Sequence, residues 1–409
     1  MKYLVVLADG MADRPIAELM GKTPLEAADT PNMDYIASRG TLGMLKTVPD
    51  GMVPESDTAN LAVMGYDPLI YSHGRSPLEA MSMGIDLRPE QTAVRANLVC
   101  LSDLGEPYAQ KTMIDHSSGE ISTQEARVLI EECASKLCPA GTSIHTGVSY
   151  RHCFVVDDAP DFNAFSRPHD ILGKCIEEYL PECDFYRDLM ERSFEILNGH
   201  PVNKARESRG QRKANSLWFW SPGKKPALPQ FKEKTGLRAA VICAVDLIKG
   251  IGKCAGMETP FVPGATGGCV TDYSAKARAA VEAFERGNDL VYIHIEAPDE
   301  CGHKGDVNAK IAAIENIDEK IVGTLMDWFR KKGEKYRIAV LPDHPTPICL
   351  RTHAPEPVPF AVFTSGGRKR SGFERYSEKE AAHSSLYIPV GSDFMARFIS
   401  GDITAGRLL

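Results

Sequence analysis

Tyr3-Leu4-Val5-Val6-Leu7-Ala8-Asp9-Gly10 is a short apolar run that stops abruptly at an acid and a glycine. Apolar at every position, it reads as a strand covered on both faces, with Asp9-Gly10 turning at its carboxyl end. Three later segments look alike: Leu290 to Ile295, Arg337 to Leu341 and Pro359 to Phe363. Each runs into a polar cluster or a Gly/Pro-rich stretch. Between two of them, Ile311, Ile314, Ile321, Leu325 and Phe329 recur three, four and seven apart, which predicts a helix from about 307 to 329. A second helix is expected from Tyr273 to Phe284. Strand, helix, strand at this spacing is a βαβ pattern.

The chain is 409 residues long, enough for two or three domains at roughly 100–200 residues each. With 43% hydrophobic and 25% charged residues it can bury a large core. A formal charge of −8 gives no reason to expect nucleic acid or an anionic membrane as partner. The initial apolar run is six residues, too short for a signal peptide, and no 18-residue apolar run predicts a membrane span. Eleven scattered cysteines without a C-x-x-C pair point to a reduced, cytoplasmic protein. No interface stripe is visible, so homo-oligomerisation is left open.

The middle reads differently. Short strands are expected at 96–101 and 151–156 and a helix at 124–137. Residues 204–234 carry nine Lys or Arg against two Glu, a net of +7 in an acidic protein. Such a stretch is either a solvated basic face or a surface for an anionic substrate. The pattern predicts an α/β domain made of residues 1–94 and 266–409, with a smaller α+β domain, 95–265, inserted.

Acids and histidines recur where strands end. Asp9 follows the first strand; Asp299 and His303 follow the Leu290 strand; Asp343 and His344 follow the Arg337 strand; His353 precedes the Pro359 strand. In open α/β sheets, ligands bind beyond the carboxyl ends of strands. Three acids and three histidines exceed the needs of one tetrahedral ion and suit Zn²⁺ or Mn²⁺. Taken singly, each Asp is an ordinary turn or cap residue and each His an ordinary polar one; the recurrence is what counts. Ser56, at the expected start of a helix ending by Gly65, is either a helix cap or a seventh ligand beside the amides of a helix N-terminus. As a ligand it completes a two-metal set able to hold a phosphoryl group in line.

The order of these pieces carries a resemblance. Val6-Leu7-Ala8-Asp9-Gly10-Met11-Ala12-Asp13, Thr23-Pro24-Leu25-Glu26-Ala27-Ala28, Pro54-Glu55-Ser56-Asp57, Met64-Gly65-Tyr66-Asp67-Pro68, Gly74-Arg75-Ser76-Pro77-Leu78-Glu79-Ala80, Pro298-Asp299 with Gly302-His303, and Asp343-His344 with Thr346-Pro347 together resemble the archaeal-type cofactor-independent phosphoglycerate mutases of the alkaline phosphatase superfamily. Leu341-Pro342 departs from the small residue and Gly found in many relatives.

The resemblance implies an alkaline-phosphatase-like three-layer sandwich with an inserted substrate-clamping domain. It implies two divalent ions (Mn²⁺, Mg²⁺ or Zn²⁺) and no 2,3-bisphosphoglycerate. One ion falls to Asp9, Ser56, Asp343 and His344, the other to Asp299, His303 and His353, with Ser56 the nucleophile. Gly147-Val148-Ser149-Tyr150-Arg151-His152 resembles a family signature, making Arg151 the first choice of anion clamp, ahead of Arg206, Lys213 and Lys249; Asp13 and Arg14 would shape the site. The expected reaction interconverts 3-phosphoglycerate and 2-phosphoglycerate. The alternatives are transfer to another acceptor such as homoserine, phosphomonoester hydrolysis, or a metal-stabilised binding protein without catalysis. The expected partner is a small phosphorylated carboxylate.

Overall fold

The computed structural model describes residues 1–72, 74–160, 165–367 and 371–404. Among them twelve strands run in chain order: β1 (Lys2–Ala8), β2 (Thr41–Leu45), β3 (Thr92–Leu101), β4 (Met113–Asp115), β5 (Thr142–Val148), β6 (Arg151–Val156), β7 (Ser216–Lys224), β8 (Ala239–Ile242), β9 (Leu290–Ile295), β10 (Tyr336–Leu341), β11 (Val358–Thr364) and β12 (Tyr387–Ile388). The chain divides into two units, Met1–Ser72 with Ala227–Leu409, and His73–Pro226. No helix of the described residues is long and apolar enough to cross a membrane.

The first unit is built on a seven-stranded sheet in the order β12-β2-β11-β10-β1-β9-β8. β1 lies between β9 and β10, parallel to both, with Leu7 opposite His294 and Leu341. β11 is antiparallel to β10 and to β2. One edge therefore receives the carboxyl ends of β9, β1, β10 and β2 and the start of β11.

Leu4 through Ala8 are fully buried, as a strand covered on both faces requires. Leu4, Val6, Ala8, Val291 and Ile293 join one core with Ile36, Ala280, Phe284, Ile314 and Leu325 from helices. The other face also carries helices: Tyr292 reaches Asn60 of the helix Ser56–Val63, and Tyr3 meets the Phe398 ring edge-on at 5.9 Å. Helices on both faces of one sheet make a three-layer α/β sandwich.

The expected helix at 307–329 is one helical run interrupted by a π turn: Val307–Ile317, Asp318–Gly323, then Thr324–Lys332. The Asp318 side-chain carboxylate accepts the backbone N–H groups of Asn32 (3.2 Å) and Met33 (2.7 Å) at the start of the helix Pro31–Arg39. Such π turns are rare and occur mostly as single-turn bulges inside α-helices.

The second unit packs β3 between β6 and β7, all antiparallel, with β5 and β4 outside. Its bounds correct the expected 95–265. Residues 76–82 form a helix with Leu78 and Ala80 buried, and Ala80 packs with Ala93, Cys153 and Val155 of β3 and β6. Residues 239–242 instead pair with β9 in the first unit's sheet. The basic stretch 204–234 contains β7, whose Leu217, Trp218 and Phe219 are buried, while of its nine cations only Arg206 is buried.

Candidate metal centre

Each expected ligand of the first unit arrives at the shared sheet edge for a local reason. Asp9 follows β1, and the chain then turns at Gly10 with φ +62°. A Cβ at Gly10 would lie 2.6 Å from the Asp299 Cα, so the turn and the close approach both demand glycine. Asp299 and His303 lie one turn apart on the helix Ala297–Lys304. Asp343 and His344 follow β10, and His353 lies in the loop entering β11. Ser56 is the first residue of its helix, and Glu55 is the cap residue. The helix-cap reading of Ser56 is thereby corrected, and its Oγ lies 3.3 Å from His344 Nε2.

Asp9, Asp343 and His344 are fully buried, Asp299 nearly so; Ser56, His303 and His353 are half-buried. His344 Nε2 is 3.6 Å from both Asp9 Oδ1 and Asp343 Oδ2. His303 Nε2 is 3.1 Å from Asp299 Oδ2 and 3.0 Å from His353 Nε2, which is 3.5 Å from Asp299 Oδ1.

These spacings test whether a metal fits. Ligands bound tetrahedrally at roughly 2.0–2.1 Å lie roughly 3.3–3.4 Å from one another. The observed separations scatter around that value. An Asp9 carboxylate with no well-aligned hydrogen bond on either oxygen makes sense beside a cation and little sense otherwise, and the His303 and His353 Nε2 atoms, 3.0 Å apart, can share a proton or both turn to a metal. Close groupings also cut across the implied partition: Asp299 lies with His344 and His353, and Asp9 with Asp343 and His294. The two ligand sets are contiguous.

The surroundings orient the ligands. His303 Nδ1 meets the Arg351 carbonyl at 3.0 Å, leaving Nε2 for the centre. Thr346 Oγ1 donates to Asp299 Oδ1 at 2.5 Å and lies 3.3 Å from His344 Nδ1. The Asp13 carboxylate pairs with buried Lys310 at 2.7 Å and accepts the Ile348 N–H, while Lys310 also donates to the Thr346 carbonyl at 2.8 Å. Arg14 is spent on an exposed pair with Glu356.

Electrostatics tell the same story. Burial, reinforced by Asp343, Asp299 and Glu296, pushes the Asp9 carboxyl well above the usual range. Burial and Asp299 push Glu296 up to about 8. Asp299, despite its burial, is held well below the usual range by His303 and His353. Its hydrogen bond raises His303 to about 9. The pocket is arranged for positive charge.

Sequence comparison decides the family. A family model described as 2,3-bisphosphoglycerate-independent phosphoglycerate mutase matches residues 37–203. The mutase of that name from Methanosarcina barkeri is 45% identical over 97% of this chain and 98% of its own. The chain belongs to the 2,3-bisphosphoglycerate-independent phosphoglycerate mutases. A Geobacter sulfurreducens relative, described as a probable mutase of this kind, is also 45% identical, over 97% of this chain and 98% of its own. Among solved structures, a Pyrococcus horikoshii protein superimposes with a TM-score of 0.81 at 29% identity, covering 99% of this chain and 98% of its own. The cofactor-independent phosphoglycerate mutase of Thermoplasma acidophilum gives 0.68 at 28%, covering 98% and 99%.

The expected anion clamps of this mutase-family chain fare unequally. Arg151, in the second unit, opens β6 with its side chain exposed, its guanidinium 5.5 Å from the Tyr150 ring. Arg206 is buried and fully occupied: it donates to the Arg212 carbonyl (2.9 Å), the Ser118 carbonyl (2.7 Å) and Glu125 (2.6 Å). That is a structural role and corrects its assignment as a clamp. Lys213 pairs with Asp103 and Glu207. Lys249, in the first unit, donates to the Ala244 carbonyl at 3.0 Å and pairs with Asp246.

Sequence reasoning missed His294, Glu296, Tyr292 and Asn60. His294 Nε2 lies 3.1 Å from Asp9 Oδ2, and burial drives its pKa down to about 3, so it is a neutral imidazole. The available signal was period two: Tyr292 and His294 alternate with Val291, Ile293 and Ile295, so both share one face of a strand that ends among ligands.

Proposed function

We propose that this chain interconverts 3-phosphoglycerate and 2-phosphoglycerate, without 2,3-bisphosphoglycerate, through a phosphoserine on Ser56. Asp9, Ser56, Asp343 and His344 would hold one divalent ion and Asp299, His303 and His353 another. The observation carrying this reading is the position of Ser56 Oγ, 3.3 Å from His344 Nε2 at the first turn of a helix. When bound, such ions lower the pKa of a coordinated hydroxyl and offset phosphoryl charge.

Ser56 Oγ attacks phosphorus and the bond to the substrate oxygen breaks, leaving phosphoserine and glycerate. The departing oxygen takes a proton. Glycerate's other hydroxyl then loses a proton and attacks the phosphoserine, returning the electron pair to Ser56 Oγ. The first-turn amides of the Ser56 helix favour the phosphoryl anion throughout. In the second unit, Arg151 is the residue we assign to binding the substrate's anionic groups, an Arg fork being suited to carboxylate or phosphate. Supporting it, buried Arg95 lies close enough to Arg75 and Arg151 for their charges to lower its pKa alongside burial, and Glu79 holds it at 2.7 Å. Eleven free cysteines are consistent with a reducing, cytoplasmic setting.

A coupled assay on metal-stripped protein tests the reading, with Mn²⁺, Mg²⁺ or Zn²⁺ restored and bisphosphoglycerate omitted. Activity should require metal, Ser56→Ala should abolish it in a folded protein, and quenched turnover should yield phosphate on the Ser56 peptide. Normal turnover by Ser56→Ala would sink the assignment.

A further inference from the structure

Asn60 lies one helical turn beyond Ser56, and its side chain is fully buried. Its Nδ2 donates to the Ser56 carbonyl at 2.8 Å and to Asp343 Oδ2 at 3.0 Å. Its Oδ1 accepts the Tyr292 hydroxyl at 2.7 Å. Asp343 Oδ1 is separately occupied by the N–H groups of Gly10 (3.1 Å) and His344 (2.9 Å). Three of the roughly four hydrogen-bonding directions of the Asp343 carboxylate are thus used, and His344 Nε2 lies 3.6 Å from Oδ2.

We propose that Asn60 and Tyr292 are positioning residues: Tyr292 anchors the Asn60 amide through its Oδ1, and Asn60 aligns the Asp343 carboxylate with the first turn carrying Ser56. A terminal amide can sit in its pocket in either of two orientations. Flipped, Asn60 would turn its carbonyl oxygen against a carboxylate oxygen and lose its bond to the Ser56 carbonyl. Asp343 and the Ser56 carbonyl only accept, so they set the orientation, and the Tyr292 hydroxyl holds the amide in place by donating to Oδ1. Tyr292 stands on β9 and Asp343 follows β10, so the link joins the Ser56 helix to two strands of the sheet. Outer partners of metal ligands act by fixing orientation, and their removal typically costs about 10- to 100-fold in metal affinity or activity.

The inference rests on Asp343 and Ser56 serving as proposed above, and Mn²⁺ binding separates the two claims. Metal-stripped wild type, Tyr292→Phe and Asn60→Ala are titrated with Mn²⁺ alone, their metal-free unfolding temperatures recorded, and kcat and KM measured. Tyr292→Phe should weaken one ion about tenfold and leave the other within about twofold. Its kcat should fall at unchanged KM and recover as Mn²⁺ is raised. Asn60→Ala should do the same more strongly; if it fails to fold, Tyr292→Phe, which removes a single oxygen, carries the test. Unchanged Mn²⁺ affinities with a lower unfolding temperature would overturn the inference, since the hydroxyl would then serve folding alone. A wild type that binds no Mn²⁺ would instead overturn the metal reading, and this inference with it.

Discussion

Two charged regions of this molecule look equally conspicuous in sequence and turn out opposite in kind. Around Asp9, Asp299 and Asp343, carboxylates gather in a buried place, and the nearest cation-capable groups are histidines, two of which, His294 and His344, burial holds neutral. Within residues 204–234, five of the nine cations pair with acids of the second unit. Glu125 takes Arg206 and Arg209, Asp115 takes Arg212, Asp103 takes Lys213 and Asp86 takes Lys225. Net charge along a stretch of chain therefore says little about function. What distinguishes a site is like charge left uncompensated after folding, because burying it is costly unless a ligand brings the opposite charge.

The contrast makes a prediction of sign. Asp9→Asn removes a buried carboxyl whose ionisation the metal-free fold opposes, through burial and the neighbouring Asp343, Asp299 and Glu296. Activity should fall about a hundredfold if Asp9 holds an ion as proposed. Yet the metal-free variant should unfold at a higher temperature, by roughly 1–2 kcal/mol, as expected where a site holds strain that function requires. Calorimetry in chelator checks this, and a lower unfolding temperature would show that the cluster is internally satisfied. Arg206→Met should behave the other way round. The Ser118 and Arg212 carbonyls lose their donor, destabilising the fold by roughly 1–3 kcal/mol. Turnover per folded molecule should stay within about twofold; a selective rise in KM would reinstate Arg206 as a clamp.

The same contrast explains what was legible. The strand ends carrying Asp9, Asp299 and Asp343 could be read because fully apolar strands need cover on both faces and polar residues at their ends then stand out. His294 was hidden inside such a strand, where an isolated histidine reads as part of the run. Arg206 was misread because its partners, Glu125 and the Ser118 carbonyl, lie more than 80 residues away in sequence, and pairing at that distance exists only after folding. The domain bounds failed for a related reason. Strand β8 belongs to its sheet through pairing with β9, some 50 residues later, which no local pattern announces. Nor does any local pattern announce the π turn at Asp318–Gly323 inside the expected plain helix.

The comparison sharpens at the one place in the acidic centre where charge is already paired. Asp299 holds His303 protonated up to about pH 9 in the metal-free protein, by a direct hydrogen bond and by its charge. His303 has a raised folded pKa against an ordinary value of 6.5. Its contribution to metal-free stability is therefore complete below about pH 6.5 and is lost as pH rises through about 9. A divalent ion needs the same Nε2 lone pair, so it must expel that proton. Between pH 6.5 and 9, metal affinity at the Asp299–His303–His353 set should rise about tenfold per pH unit and then level off. Titrating Mn²⁺ at pH 7.5 in buffers of different ionisation enthalpy should give close to one proton released for this ion. His303→Gln should abolish that release and flatten the pH dependence, while leaving the ion assigned to Asp9, Asp343 and His344 in place. Release near zero in the wild type would mean that Asp299 and His303 meet as neutral partners, and the centre would then be uncompensated throughout, without the one internal pair that sets its two halves apart.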